Sequence, residues 1–433
     1  MKIVDTTDPK QVASGDWHAL LARPVLDTRS LENTVANILK EVRENGDDAV
    51  RRFSLQFDKI SPEFLEAGSA EIEEAASLIS DELKAAIGQA RRQIEAFHNR
   101  QVQGIDLVET IPGVQCWRKS VAIEKVGLYI PGGTAPLFST LLMLGIPARI
   151  AGCKEIVLCS PPDRQGRLHP AILYAAGLVG VTRIFKAGGV QAIAAMAYGT
   201  ATVPRVYKIF GPGNQYVTCA KQLVQKEGIA IDMPAGPSEV AVYADETADP
   251  SFVAADLLSQ AEHGVDSQVI LVSRSRSLAE RILAEIDRQV EELPRADLAK
   301  EALENSRAFI VKDDREAMDL LNEYAPEHLI LACSNAEELA GLVVNAGSVF
   351  IGHFSPESVG DYASGTNHVL PTNGYAKAYS GVSLDSFVKK ITFQQLTREG
   401  LAHIGRAVEL MAEAEGLQAH ANAVRMRFRD FGN

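Results

Sequence analysis

Twice along this chain, short runs rich in Val, Ile, Leu and Phe alternate with longer runs of helical period, and no other feature of the sequence constrains the fold as strongly. The first series starts near Val121: KVGLYIP, EIVLCSPP, RIFKAG and VYKIFGPG alternate with TLLMLGIPARIAG, PAILYAAGLVG, VQAIAAMAYG and NQYVTCAKQLVQKEG. Strand, helix, strand at this rhythm predicts a parallel sheet covered by its own crossover helices. The rhythm begins again after IDMPAGPSEV, with EVAVYAD, SQVILVS, AFIVKD, HLILAC and SVFIG separated by DPSFVAADLLSQAEHG, SLAERILAEIDRQVEEL, REAMDLLNEYA and NAEELAGLVVNA. Two α/β units of similar size suggest an internal duplication, although no residue-level repeat accompanies it.

The flanks read differently. Near the start, SLENTVANILKEVRENGDDAVRRFSLQF and AEIEEAASLISDELKAAIGQARRQIEAFHNRQ carry apolar residues at three- and four-residue spacing between charged faces, the pattern of amphipathic helices. After Ile351 comes a Gly-, Ser-, Pro- and Asn-rich segment, HFSPESVGDYASGTNHVLPTNGYAKAYSG, too long for a routine connection and therefore a candidate for function. The chain closes on an amphipathic helical tail bent near Gly416. At 433 residues the chain is expected to hold two or three domains. The expected division is a helical segment over 1–120 that packs with the second α/β unit, α/β units over 121–236 and 237–352, an irregular active-site segment over 353–390, and a helical tail over 391–433.

Composition narrows the function by exclusion. Lys and Arg number 43 against 56 Asp and Glu, a net charge of −13, and no dense basic run could track a phosphate backbone, so nucleic acid is not an expected partner. The five cysteines (Cys116, Cys153, Cys159, Cys219, Cys333) form no CxxC pair, which argues for reduced core residues and against a disulfide framework or a thiolate zinc cluster. A nucleophilic Cys153 is the competing reading, but no nearby histidine would activate it. MKIVDTTDPK has no apolar signal region, and Gly, Pro and Arg interrupt FSTLLMLGIPARIAG before it could span a bilayer. No membrane partner is expected, and the cytoplasm is the default location.

Three glycine-rich turns close successive strands of the first unit: IPGGTAP, KAGGVQAIA and FGPGNQY. Backbone amides at such turns can hold a pyrophosphate, and ligands of open α/β sheets bind beyond the carboxyl ends of strands, but none of the three is a complete GxGxxG. In SQAEHGVDSQ, Gln260 and His263 stand three residues apart, either half of a metal site or a solvated helix end. NEYAPEHLIL sets Glu327 beside His328, types suited to water activation and proton transfer, or a plain loop. Asp361 and His420 are further oxygen and nitrogen donors that could join Gln260 and His263, although glutamine is outside the usual zinc ligands.

The run IDMPAGPSEVAVYADETADPSFVAADLLSQAEHG, with NEYAPEHLIL, GSVFIGHFSPESVGDYASGTNHVLPT and GPGNQY, closely resembles the histidinol dehydrogenase family, and the resemblance covers nearly the whole chain. It implies two incomplete Rossmann-like parallel-sheet domains in a homodimer whose C-terminal tails are exchanged. The implied reaction is the NAD-linked, four-electron oxidation of L-histidinol to L-histidine through the aldehyde, the last step of histidine biosynthesis, with one zinc ion per subunit. Carried over by position, the resemblance implies zinc ligation by Gln260, His263, Asp361 and His420, and substrate contacts from these four and from Ser238, Glu327, His328 and Glu415. Glu327 is implied to activate water, His328 to be the acid/base, and Tyr129, Gln191 and Asn214 to meet NAD.

The chemistry needs a base that acts repeatedly without leaving the cleft, which an imidazole can do. Two other readings remain at this point. A paralogue could oxidise another small alcohol, such as a sulfonated diol, though Glu415 suits a cationic amine better than an anion. A catalytically silent zinc- or nucleotide-binding protein is the other, and the retained Glu327 and His328 argue against it.

Overall fold

The computed structural model describes residues 1–8, 19–23, 28–132, 136–234 and 236–429. The strands, numbered along the chain, are β1 Lys2–Asp5, β2 Leu107–Ile111, β3 Val114–Ala122, β4 Lys125–Tyr129, β5 Glu155–Ser160, β6 Arg183–Lys186, β7 Lys208–Phe210, β8 Ala230–Ile231, β9 Glu239–Ala244, β10 Gln268–Ser273, β11 Arg307–Ile310, β12 His328–Ala332, β13 Ser348–Ile351 and β14 Val388–Leu396. The chain divides into two compact units, residues 1–101 with 123–387, and residues 102–122 with 388–433.

The larger unit holds two parallel sheets. One has the order β6-β5-β4-β7-β8, the other β1-β11-β10-β9-β12-β13. Every residue of EVAVYA in β9 and of QVILVS in β10 is buried, as expected for strands covered on both faces. In each sheet the chain builds outward by two strands on one side of a starting strand, β4 or β9, then crosses back and adds two on the other. The duplication suspected from the rhythm is therefore present in the topology, with β1 as an extra edge strand on β11. In both sheets the order reverses beside the first strand, between β4 and β7 and between β9 and β12, which opens a crevice there.

The N-terminal helices lie elsewhere than expected. Helix Thr28–Phe57 packs on helices Gly189–Tyr198 and Gln215–Lys226, Ser69–Ala75 on Pro170–Val179, and Asp81–Asn99 on Phe138–Ala151. All of these helices cover the first sheet, whereas β1, Leu21 and Arg23 join the second. Amphipathic period shows that a helix needs an apolar partner without saying which, and the two sheets offer similar surfaces. The segment 353–390 is also more regular than expected: it contains helix Glu357–Tyr362 and two short 3-10 turns, Tyr375–Lys377 and Leu384–Phe387.

The smaller unit is an antiparallel sheet, β14-β3-β2, with helices Arg398–Ala414 and Gln418–Arg425 turning at Gly416, whose φ is 75°. Its strands fall in segments read from the sequence as helical. Most of β14 is exposed, so it lacks the apolar alternation by which a half-buried strand is recognised. All five cysteines are free, Cys116 and Cys153 only partly buried. Among the described residues, no helix is long and apolar enough to cross a membrane.

Candidate active site

Helix Asp314–Tyr324 ends with Ala325 in the left-handed conformation (φ 51°), and Pro326 prevents the helix from resuming. Glu327 and His328 therefore emerge at the amino end of β12, where Gly347 and Ser348 donate their amides to the carbonyls of Pro326 and Glu327 at 2.9 Å each. A side chain at Gly347 would lie 2.5 Å from the Glu327 carbonyl, so this close approach needs glycine. Both side chains then reach the backbone of one residue. Glu327 Oε2 accepts from the Glu239 amide at 2.9 Å, and His328 Nδ1 lies 3.0 Å from the Glu239 carbonyl. Because a carbonyl only accepts, Nδ1 carries the proton, and in the neutral ring Nε2 presents the lone pair. That Nε2 is buried without a hydrogen-bond partner, 3.7 Å from Asp361 Oδ1.

Helix Pro250–Ala261 brings the next group. Its last turn holds Gln260, 1% exposed, whose Nε2 donates to Glu357 Oε1 at 2.5 Å and whose Oε1 is buried and unpartnered. His263 follows the helix end, with Nδ1 3.5 Å from Ser238 Oγ just before β9. Helix Glu357–Tyr362 supplies Asp361 one turn after Glu357. Donor atoms of His328, Glu357 and Asp361 lie within 4.8 Å of one another, close enough to share a cation. His368 extends the cluster: its Nδ1 donates to the Asp361 carbonyl at 2.8 Å, and its Nε2 accepts from Thr140 Oγ1 at 2.9 Å.

Burial without full pairing shapes the electrostatics. It pushes Glu327 up to about 8, and it pushes Glu357 up to about 7 with the help of the facing Asp361 charge. Burial pulls the His328 ring down, but the Glu327 and Asp361 carboxylates outweigh it and raise the ring to about 10. Asp361 is also desolvated, yet His328 and His368 hold it well below the usual carboxylate range. Desolvation lowers His263 and keeps its imidazole neutral, the form that binds metals.

The other sequence-indicated residues gather at the carboxyl end of the first sheet. Tyr129 ends β4, and its hydroxyl accepts from the Gly189 amide at 3.0 Å. Gln191, in the first turn of the next helix, sits 3.5 Å from Asp58 Oδ2 and keeps Oε1 buried and unpartnered. Asn214 caps helix Gln215–Lys226, accepting from the amides of Tyr216 and Val217. Between them Gly211 (φ 127°) presses on the Tyr129 carbonyl, where a Cβ would come within 2.0 Å. Its amide donates to Asp232 at 2.8 Å and its carbonyl accepts from Lys221 at 2.9 Å, a clamp closed by a buried Lys221–Asp232 ion pair. Gly133, Thr134 and Ala135 of IPGGTAP lie outside the described residues.

Ser238, Gln260, His263, Glu327, His328 and Asp361 are thus brought together at the amino edge of the second sheet, and Tyr129, Gln191 and Asn214 at the carboxyl edge of the first. Glu415 and His420 belong to the smaller unit, where both are exposed. Sequence reasoning missed Glu357, His368 and Thr140. The spacing of Glu357 and Asp361, four apart in SPESVGDY, is the one signal that could have found the first of these.

Comparison with known proteins agrees with this arrangement of elements. The sequence pattern of the histidinol dehydrogenase family matches residues 21–428. Histidinol dehydrogenase of Bacteroides fragilis is 61% identical over 430 residues, 99% of each chain, and that of Yersinia pestis is 51% identical over 427 residues, 98% of this chain and 96% of the other. The crystal structure of histidinol dehydrogenase from Elizabethkingia anophelis superposes with a TM-score of 0.96 at 51% identity, covering 100% of this chain and 99% of that one. The chain belongs to the histidinol dehydrogenase family.

Proposed function

We propose that this chain oxidises L-histidinol to L-histidine through L-histidinaldehyde, the last step of histidine biosynthesis, with NAD and one zinc ion per subunit. The observation that carries this reading is the pair of buried, unpartnered atoms, His328 Nε2 and Gln260 Oε1, grouped with Asp361 around Glu357. Buried polar atoms without partners are rare, and here they are a base and a ligand oxygen. Gln260, His263 and Asp361 offer oxygen, nitrogen and oxygen donors that fit a zinc ion, with His420 as the fourth. When bound, zinc would hold the substrate's imidazole and amine, and NAD would accept hydride. Glu357 and His328 also stand within reach of the ion, but Glu357 already accepts from Gln260 and Ser259, and His328 is needed as a base.

The Glu327 and Asp361 charges favour the protonated His328 ring in the metal-free chain, and a cation held by Asp361 would offset them. Once neutral, the ring takes the hydroxyl proton at Nε2 while its Nδ1–H stays fixed on the Glu239 carbonyl. Glu327, lifted by burial, is a stronger base than an exposed carboxylate and takes the proton of the water that adds to the aldehyde. After releasing its first proton to solvent, His328 accepts the proton of the hydrate at Nε2 in the second oxidation. Tyr129, Gln191 and Asn214 line the cofactor crevice between β4 and β7, and we read each α/β half as a Rossmann unit lacking its sixth strand. Ser238 and Glu415 bind substrate, the latter through its amine.

We further assign the chain to cytoplasmic homodimers that exchange tails, each giving Glu415 and His420 to the partner's site. Exposed Ile391, Phe393, Leu396 and Met411 on the smaller unit supply apolar surface for that contact. The test is NADH formation with L-histidinol, with and without a zinc chelator. Two NADH per histidinol, lost on chelation, are expected. Oxidation of a sulfonated diol in preference to histidinol, or no turnover of either, would replace this reading.

A further inference from the structure

We propose that Glu357 is a positioning residue for the metal pocket, its carboxylate turning the side-chain amide of Gln260 so that Oε1 faces the cation. The proposal rests on the zinc reading above and goes beyond it by naming what makes a glutamine a dependable ligand there. A side-chain amide can sit either way round its last torsion, and only its hydrogen-bond partners decide which. Glu357 Oε1, 2.5 Å from Gln260 Nε2, accepts its N–H and so selects the Nε2 end of Gln260. Oε1 is left buried with no other partner, ready for a ligand. Reversed, the amide would set oxygen against the Glu357 carboxylate and aim an N–H at the cation, unfavourable at both ends.

The carboxylate is itself held. Its second oxygen, Oε2, accepts from Ser259 Oγ at 2.6 Å, so consecutive residues of one helix grip both oxygens. Glu357 is 1% exposed, which denies water a share in either bond. Because Asp361 lies one turn further along the same short helix, that helix offers one ligand directly and orients another through Glu357. The rival role is direct ligation, since Glu357 shares the 4.8 Å cluster with His328 and Asp361.

Zinc affinity of the full-length chain, stripped of metal and titrated against a chromophoric chelator, separates the two. Glu357→Ala is expected to weaken zinc about 10- to 100-fold, the usual effect of removing a group that orients a ligand. The double variant with Gln260→Ala should bind no more weakly than Gln260→Ala alone, because Glu357 acts only through that amide. Glu357→Gln can still accept from Gln260 Nε2 and donate to Ser259 Oγ, so it should stay within about threefold of the parent. Losses that multiply in the double variant, or a Glu357→Gln as weak as Gln260→Ala, would assign Glu357 as a ligand and overturn the proposal. Lower stability of the metal-free protein with unchanged zinc affinity would overturn it as well. If Glu357→Ala does not fold, Glu357→Gln measured against Gln260→Ala decides alone. A Gln260→Ala variant that binds zinc as tightly as the parent removes the zinc reading itself, an outcome distinct from failure of Glu357.

Discussion

At the scale of single residues, the backbone of one residue organises the candidate site. The Glu239 amide holds Glu327 and the Glu239 carbonyl holds His328, so both side chains share one rigid anchor in the centre of a sheet. The Glu239 carboxylate, 1% exposed, is neutralised from below by Arg23, which also lies 4.2 Å over the Tyr324 ring. Asp58, beside Gln191 in the other crevice, has no such cation among the described residues, and burial raises it to about 6. The folded chain therefore holds this proton more tightly than the unfolded chain, and stability falls as pH rises from about 4 to about 6. Asp58→Asn should match the parent at roughly pH 4 and exceed it by about 1 kcal/mol at roughly pH 7, after allowance for solvent screening. Urea midpoints of the two proteins measure this, and a gap that does not widen with pH would remove the burial argument.

At the scale of elements, the crevice assigned above to the cofactor depends on β4 and the turn after β7 approaching with no side chain between them. Gly211→Ala places a Cβ 2.0 Å from the Tyr129 carbonyl at a φ of 127°, so steric overlap adds to backbone strain. A loss of about 2–6 kcal/mol is expected, with weaker NAD binding because Asn214 moves with the turn. Gly228→Ala is the control: its φ is 93° but nothing lies within 4 Å, so strain alone should cost about 1–3 kcal/mol. Equal losses in denaturant titrations would show that the close approach does not matter. The elements of the two sheets were legible in the sequence because their strands are continuously buried and read as unbroken apolar runs. β2 and β14 were not, since a strand whose faces are exposed in the single chain carries no periodic signal, and β3, half-buried along most of its length, shows no clean alternation either. The site was legible at Glu327 and His328 through residue type and position. The distant donors Asp361 and His420 drew a role only from the resemblance, because no spacing rule links residues so far apart. Glu357 escaped both, being a carboxylate whose partners, Ser259 and Gln260, are nearly a hundred positions away.

At the scale of the whole molecule, the proposed exchange of tails makes a prediction about which chain supplies Glu415 and His420. Within one chain, Gln260, His263 and Asp361 belong to the larger unit, while Glu415 and His420 are exposed on the smaller one among exposed Met411 and Leu417. Amphipathic helices of this length gain most of their stability from packing, so an uncovered apolar face calls for a second surface. If that surface is a partner chain and the tails cross, His328→Ala and His420→Ala lie in different sites of a mixed dimer: one site carries both lesions and the other carries neither. Each variant alone should be nearly inactive, with His328→Ala losing about 10²- to 10⁴-fold as expected for removal of a general base. Mixed in equal amounts and allowed to exchange subunits, they should recover activity approaching roughly a quarter of all sites, since random pairing makes half the dimers mixed and half of their sites intact. If each tail serves its own body, every site keeps one lesion and no activity returns, however completely differential tags show that mixed dimers have formed. Recovery without detectable mixed dimers would point instead to contamination by parent enzyme, so the tag measurement and the NADH assay have to be read together. Recovery is expected on the proposed ligand set: if three donors come from one body and His420 from a tail, any chain that brings His420 within reach would complete the site, and exchange would supply that chain.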